Sequence, residues 1–463
     1  MTAATRTEHA VSLNPATGEI IARHAFDSRE AVEAALTRTA AAARIWRDTP
    51  VAQRANVLVQ LARVLRERKT EFALMMADEM GKPIAQARGE VEKCAALCEW
   101  YAENGPAMLA PTPTPVLQGT ARQEFRPLGP ILAVMPWNFP IWQVLRGAVS
   151  MLLAGNTYVL KHAPNVMGSA YLLRDALAAT DLPAGAFEVL NLPPEDVAPV
   201  IADPRIAAVA VTGSVRAGAA IAQLAGAALK KCVLELGGSD AFIVLADADL
   251  DEAVRSAVLG RFGNTGQVCL AAKRLIVEAP VAAEFEARFV EAVKALRMGS
   301  PRDEANFIGP MARYDLRDEL HGQVERTLAE GARLVLGGHK VEGPGNYYEP
   351  TVIADVQPGM TSFREELFGP VASIIVARDA QHAVEMANDS EFGLGGTIWT
   401  RDLERADAMA AQMETGAVFI NGDVATDPRV TVGGVKKSGF GRELSSFGMH
   451  EFCNVQTVWT DRR

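Results

Sequence analysis

Cysteine and histidine are scarce in this chain: five and seven among 463 residues. So few cysteines over such a length do not form a disulfide framework. Cys94 and Cys98 stand four apart, on one helical face, but no further His or Cys follows at useful spacing. Both are read as packing residues, and no metal site is expected. Positive charge is also short, with 46 Lys+Arg against 56 Asp+Glu and a formal net charge of -10. That argues against nucleic acid as the main partner, because phosphate binding needs a basic surface. A small anionic ligand, which needs only a local cation, is not excluded. No apolar run approaches the length of a bilayer span. The polar start "MTAATRTEHAVSLNP" lacks the apolar centre of a signal peptide, so no membrane association and a cytoplasmic location are expected. No repeat of fixed period and no low-complexity segment is visible.

What is present is ordinary globular material, 49% hydrophobic and 22% charged. The length allows roughly two or three domains. Residues 28–46 read as a helix capped by Ser28, with Ala31, Ala35 and Leu36 as its apolar stripe. Residues 51–69 repeat the pattern, and "IAQARGEVEKCAALCEWYAEN" supplies a third helix. The proline-rich "APTPTPVLQGTARQEF" breaks this run and ends in alternating residues, as in an extended arm or hairpin. From about residue 130 short apolar runs ("ILAVM", "TYVL", "FEVLNL", "IAAVAVT", "KCVLEL", "AFIVL") alternate with helix-length segments. A second series, from "RLIVE" to "GAVFING", follows Cys269. Such alternation implies βαβ units and two α/β domains with parallel sheets.

Several short motifs carry candidate chemistry. In "PWNFPIWQVLRGAVSML", Pro136 and Pro140 bracket Trp137, Asn138 and Phe139 in a rigid turn after a strand. There an Asn amide can donate to a developing oxyanion, or simply serve as a turn residue. In "VAVTGSVRAGAAIAQLAG", Gly213 and Ser214 open a helix whose free N–H groups suit a phosphate, although an unadorned helix cap reads the same way. In "VLELGGSD", Glu235 ends an apolar strand, where a carboxylate is costly unless paired or used. The following glycines allow close approach of backbone or ligand. In "GNTGQVC", Cys269 sits in a polar turn, a poor setting for an inert buried thiol. "FREELFGPV" (Glu365, Glu366, Phe368) and "GGVKKSGFGREL" (ending near Glu443) would each pass as surface loops.

Together and in this order, these motifs resemble the NAD(P)-dependent aldehyde dehydrogenase superfamily, from "NPATGE" to "GGVKKSGFGRELSSFGMHEF". Within it, "KHAPNVMGSA", "TGSVRAGAAIA" and "KKCVLELGGSD" are similar to the short bacterial succinate-semialdehyde dehydrogenases. The resemblance implies an α/β fold with a Rossmann-type cofactor domain (1–106 and 126–237), an α/β catalytic domain (238–437) and a small β-arm for oligomerisation (107–125 and 438–463). It implies Cys269 as nucleophile, Glu235 as general base and Asn138 as oxyanion donor. For the cofactor it implies Gly213 and Ser214 at the pyrophosphate and Lys161 and Glu366 at the two riboses. Trp137, Leu236 and Phe368 would line the nicotinamide side. Arg146, eight residues past Asn138, matches an arginine that grips a substrate carboxylate. The expected reaction is oxidation of a carboxylate-bearing semialdehyde, succinate semialdehyde to succinate, by a homo-oligomer (dimer or tetramer). The alternatives are a broader-range aldehyde dehydrogenase, a coenzyme A-acylating enzyme, or a catalytically silent binding protein.

The chain departs from that pattern at three positions. Gly263 stands where longer relatives have a second carboxylate-binding arginine, leaving open whether Arg261 points inward instead. Ala271 removes the second cysteine of a near-neighbour disulfide switch. Pro164 replaces an acid that favours NAD, so NAD is expected with NADP use left open.

Overall fold

The computed structural model describes residues 8–461. Residues 1–7 of the polar N-terminal stretch read above lie outside that range. Two sheets dominate the α/β architecture. The first has six strands in the order Gly439–Phe440, Lys231–Glu235, Ala208–Thr212, Pro130–Val134, Thr157–Lys161 and Phe187–Val189. The last five are parallel, and the short first strand runs against its neighbour. The second sheet orders seven strands as Arg333–Leu336, Thr351–Ala354, Val371–Ala377, Ala272–Glu278, Asp240–Val244, Gly395–Trp399 and Ala417–Ile420. All its pairings but the first are parallel.

The central strands read as unbroken apolar runs because both of their faces are covered. In the first sheet Ile131, Ala133, Tyr158 and Leu160 turn to one apolar cluster. Leu132, Val159, Val209 and Val211 turn to another. The period-two alternation along each strand separates the two layers. Phe242, Val244, Leu275 and Val277 likewise back onto one side of the second sheet, and Ala241, Ile243 and Ile276 onto the other.

The helices expected at 28–46, 51–69 and 84–104 form as Arg29–Asp48, Val51–Glu67 and Ile84–Met108. A further helix, Lys69–Met80, stops at Gly81, whose left-handed φ of 75° makes it a C-cap. A third, antiparallel sheet joins Thr112–Thr114, Thr120–Pro127 and Cys453–Thr460. Of the residues 438–463 assigned to the arm, only Cys453–Thr460 lie in this sheet. Gly439–Phe440 pair instead with the edge of the first sheet, and Ser445–Glu451 form a helix.

Two features of this topology place the site. In the first sheet, connections run one way from Pro130–Val134 towards Phe187–Val189 and the other way towards Lys231–Glu235. The crevice between the carboxyl ends of Pro130–Val134 and Ala208–Thr212 is thus a topological switch point, where open α/β sheets bind ligands. Trp137 and Asn138 follow the first of these strands, and Gly213 and Ser214 follow the second. The other feature is the crossing between sheets. Lys231–Glu235 and Asp240–Val244 are consecutive in sequence yet lie in different sheets, joined by residues 236–239. A Cβ on Gly238 would come within 2.8 Å of the Cys269 carbonyl oxygen. Gly238 lets the loop that carries Cys269 lie directly on the crossing.

Candidate active site

Cys269 follows a single 3-10 turn, Gly263–Gly266, at the end of helix Leu250–Phe262. Within it Asn264 and Thr265 hold φ of 53° and 56°, values unusual for residues with side chains. Such a bend persists only when its surroundings over-determine it. Asn264 N–H donates to the Gln86 side-chain oxygen at 2.7 Å, and the Asn264 amide donates to the Asn138 carbonyl at 2.8 Å. The Gln267 side-chain oxygen accepts from Ala312 N–H at 2.9 Å. Arg261, fully buried, donates to the carbonyls of Val371, Gly266, Leu367 and Gly369. This settles the question raised by Gly263. Arg261 does not point inward to a substrate; its guanidinium braces the backbone beside Cys269.

Asn138 is buried and donates one amide hydrogen to the Gln267 carbonyl at 2.9 Å. That bond fixes the amide two residues from Cys269. Its second hydrogen has no protein acceptor among the described residues, as an oxyanion donor requires. Asn138→Ala is expected to lower kcat by roughly 10²–10³, the usual loss for one such donor. Steady-state assays that find kcat unchanged would remove Asn138 from this role.

The thiol lies in a cavity of about 290 Å³. Cys269 is half-buried, and although it keeps access to the cavity, burial pushes its thiol up to about 11. The nearby Arg146 and Lys273 cations pull in the opposite direction. Lys273 is buried and donates to the carbonyls of Val268 and Cys269 at 2.8 and 2.7 Å. It also pairs with Glu366 at 3.2 Å. Burial pushes the Glu235 carboxyl up to about 8, against a downward pull from Arg146. One Glu235 oxygen, Oε1, is buried without a hydrogen-bond partner among the described residues. A carboxyl kept basic and unsatisfied suits a proton acceptor far better than a structural role. Glu235 Oε1 lies 3.0 Å from where a Cβ on Gly433 would sit, and Arg146, which lines the Cys269 cavity, acts on its charge.

Arg146 lines the cavity, but it is neither solvated nor free. It is 2% exposed and its Nε is ion-paired with Glu443, which is 4% exposed. "GGVKKSGFGREL" is therefore not a surface loop: it threads between the sheets, with the Ser438 hydroxyl donating to the Gly237 carbonyl at 2.7 Å. Of the acid pair, Glu365 does lie at the surface, paired with Arg326, whereas Glu366 accepts from Gly238 N–H at 3.1 Å.

The residues expected to hold a cofactor gather on the switch-point side. Trp137 meets Phe368 edge to face, with centroids 5.7 Å apart. Ser214 caps helix Val215–Ala227, accepting from Ala217 N–H at 3.3 Å. A Cβ on Gly213 would meet nothing within 4 Å, so the ground before this helix is open. Leu236 packs under Gly218. Lys161, buried, ends its strand, and no carboxylate lies within ion-pairing distance among the described residues. Pro164 starts the 3-10 turn that follows, exposed and neutral. An open helix N-terminus, an uncompensated lysine and a carboxylate fit the phosphates and hydroxyls of a dinucleotide. Among the described residues no cluster of His, Cys, Asp or Glu could hold a metal ion, and no helix is long and apolar enough to cross a membrane.

Sequence reasoning missed Lys82, Glu90 and Lys93, which come from the start of helix Ile84–Met108 and the turn before it. A signal was available: Gln86, Glu90 and Lys93 recur at helical spacing on a face whose other members are apolar and buried.

Comparison with known proteins agrees with this geometry. The model of the aldehyde dehydrogenase family matches residues 2–458. A succinate semialdehyde dehydrogenase [NAD(P)+], Sad, of Escherichia coli K12 is 62% identical over 454 residues, covering 98% of both chains. A probable succinate-semialdehyde dehydrogenase [NADP(+)] of Synechocystis is 45% identical, covering 97% of this chain and 99% of its own. The crystal structure of a succinic semialdehyde dehydrogenase from Streptococcus pyogenes, in complex with NADP+, superposes with a TM-score of 0.96 at 36% identity. That match covers 98% of this chain and 100% of the other. The chain belongs to the aldehyde dehydrogenase family.

Proposed function

We propose that the protein oxidises a short, carboxylate-bearing semialdehyde, succinate semialdehyde to succinate, with reduction of NAD or NADP. The observation that carries this reading is the cavity in which Cys269 shares the walls with Lys82, Lys93 and Arg146. A nucleophile for an aldehyde and cations for an anion occupy one small space. The name of the Escherichia coli relative supports the same substrate.

Cys269 Sγ gives up its proton to water in the cavity and adds as thiolate to the aldehyde carbon, and the new oxyanion is met by the Asn138 amide and the Cys269 N–H. Taking the adduct to a thioester on Cys269 needs a hydride acceptor, which a bound nicotinamide dinucleotide would supply. Gly213, Ser214, Lys161 and Glu366 would hold that group, with Trp137, Leu236 and Phe368 beside its reactive end. Glu235 takes a proton from water, which attacks the thioester carbon, and the thiolate leaves with release of the acid. Arg146 keeps Nη1 unengaged among the described residues and offers it to substrate oxygens. Pro164 neither attracts nor repels a 2′-phosphate, so either dinucleotide serves. Residues 1–106 and 126–237 form the cofactor unit, and 238–437 the catalytic unit. Val455 and Trp459, exposed on strand Cys453–Thr460, offer apolar contacts for a homo-oligomer of this soluble, cytoplasmic enzyme.

The test is a steady-state panel of aldehydes of varied length and charge, each with NAD and with NADP. Short ω-carboxylated aldehydes are expected to give the highest kcat/KM, without coenzyme A. Uncharged aldehydes of equal length oxidised as well would sink the substrate assignment. A strict coenzyme A requirement would transfer the reading to an acylating enzyme.

A further inference from the structure

Three cations face the Cys269 cavity, and they differ in what balances them. Lys82, 1% exposed, is ion-paired with Glu90, and its ammonium sits 3.7 Å from the Phe139 ring centroid. Glu90 is in turn fixed by the N–H groups of Ile141 and Trp142, both at 2.9 Å. Arg146 is ion-paired with Glu443. Each of these cations already has a buried carboxylate beside it, so an arriving anion meets a nearly neutral pair. The groups in direct contact with Lys93 are neutral, and the carboxylates that act on it, Glu90 and Asp427, do so from beyond ion-pairing distance. Its ammonium lies 4.0 Å from the Trp142 ring centroid and donates to the Thr426 hydroxyl. Among the described residues no carboxylate is within ion-pairing distance of it.

The indole face and the hydroxyl also fix the position of this charge. Lys93 keeps solvent contact at the cavity rim, so an entering molecule reaches it without displacing a protein group. Thr426 belongs to a segment, 424–426, that lines the same cavity.

Resting on the substrate class proposed above, we propose that Lys93 determines specificity. Its ammonium receives the distal carboxylate while the aldehyde end lies at Cys269, and the Thr426 hydroxyl turns to donate to the same carboxylate. Arg146, its charge balanced by Glu443, offers only its Nη1 to the substrate between the two ends.

The experiment compares kcat/KM for succinate semialdehyde and for butanal, which has the same chain length without the carboxylate. It uses the wild type, Lys93→Met, Lys93→Gln and Lys93→Arg. In the first two variants the ratio of the two values is expected to fall by about tenfold or more, as for loss of one charge-assisted hydrogen bond. The fall should come through the KM for succinate semialdehyde, with partial recovery in Lys93→Arg. A selective wild type whose ratio is unchanged in both Lys93→Met and Lys93→Gln overturns the role of Lys93 and leaves the substrate class standing. A wild type that does not prefer succinate semialdehyde overturns the substrate class, and this inference with it.

Discussion

Cys269→Ala is expected to abolish aldehyde oxidation while leaving the fold intact. Removing an enzyme's covalent nucleophile costs on the order of 10⁴–10⁶ in rate, because the remaining donors can bind but cannot form the intermediate. The change deletes one half-buried sulfur atom from a cavity wall, so little packing is lost. The Asn138 amide and the turn at Asn264 are held by Gln267, Gln86 and the Asn138 carbonyl, none of which depends on the thiol. Following reduced dinucleotide by absorbance, with thermal unfolding alongside, checks both halves. More than about one per cent residual activity in a folded variant would point to another nucleophile, given the size of the expected loss.

The second large effect concerns stability. Arg146→Ala removes the partner of Glu443, whose carboxylate is buried 297 residues away in sequence. Breaking a buried ion pair from one side typically costs about 3–5 kcal/mol, since the remaining charge stays in a poor solvent. The denaturation midpoint should therefore fall sharply. Activity should fall as well, because Arg146 opposes the burial that raises both Glu235 and Cys269. The expectation from sequence, an arginine that grips a substrate carboxylate, treated Arg146 as a side chain with nothing else to hold. Arg146→Lys keeps a charge beside Glu443 and should retain most of the stability. An Arg146→Ala variant with an unshifted midpoint would show that the pair contributes nothing to folding.

The α/β alternation was legible because the central strands of both sheets are parallel and buried, so each of them announced itself as an apolar run. Asn138, Glu235 and Cys269 stood out as candidates because each is a polar residue stranded at the end of such a run or turn. What the sequence concealed is pairing at long range. Nothing near Arg146 announces Glu443, and nothing near Lys82 predicts that Glu90 would bind both it and the start of the next helix. Arg261 could be read equally as a substrate anchor or as a brace until its carbonyl partners were visible. Lys93 looked like an ordinary charge on an amphipathic helix because its aromatic partner lies 49 positions on.

The threading of residues 433–443 between the sheets has a consequence for how the chain matures. As it is synthesised, Asn138 and Arg146 emerge early, and Cys269 emerges past the midpoint. Thr426, the strand that edges the first sheet and Glu443 come only near the end. Until then the Lys231–Glu235 edge is open and Arg146 carries an unbalanced charge. Domains generally fold as units during synthesis, and contacts of long sequence separation form late. The catalytic cavity is therefore sealed by the final tenth of the polypeptide, and a chain released before that point carries the reactive thiol without the wall that confines it.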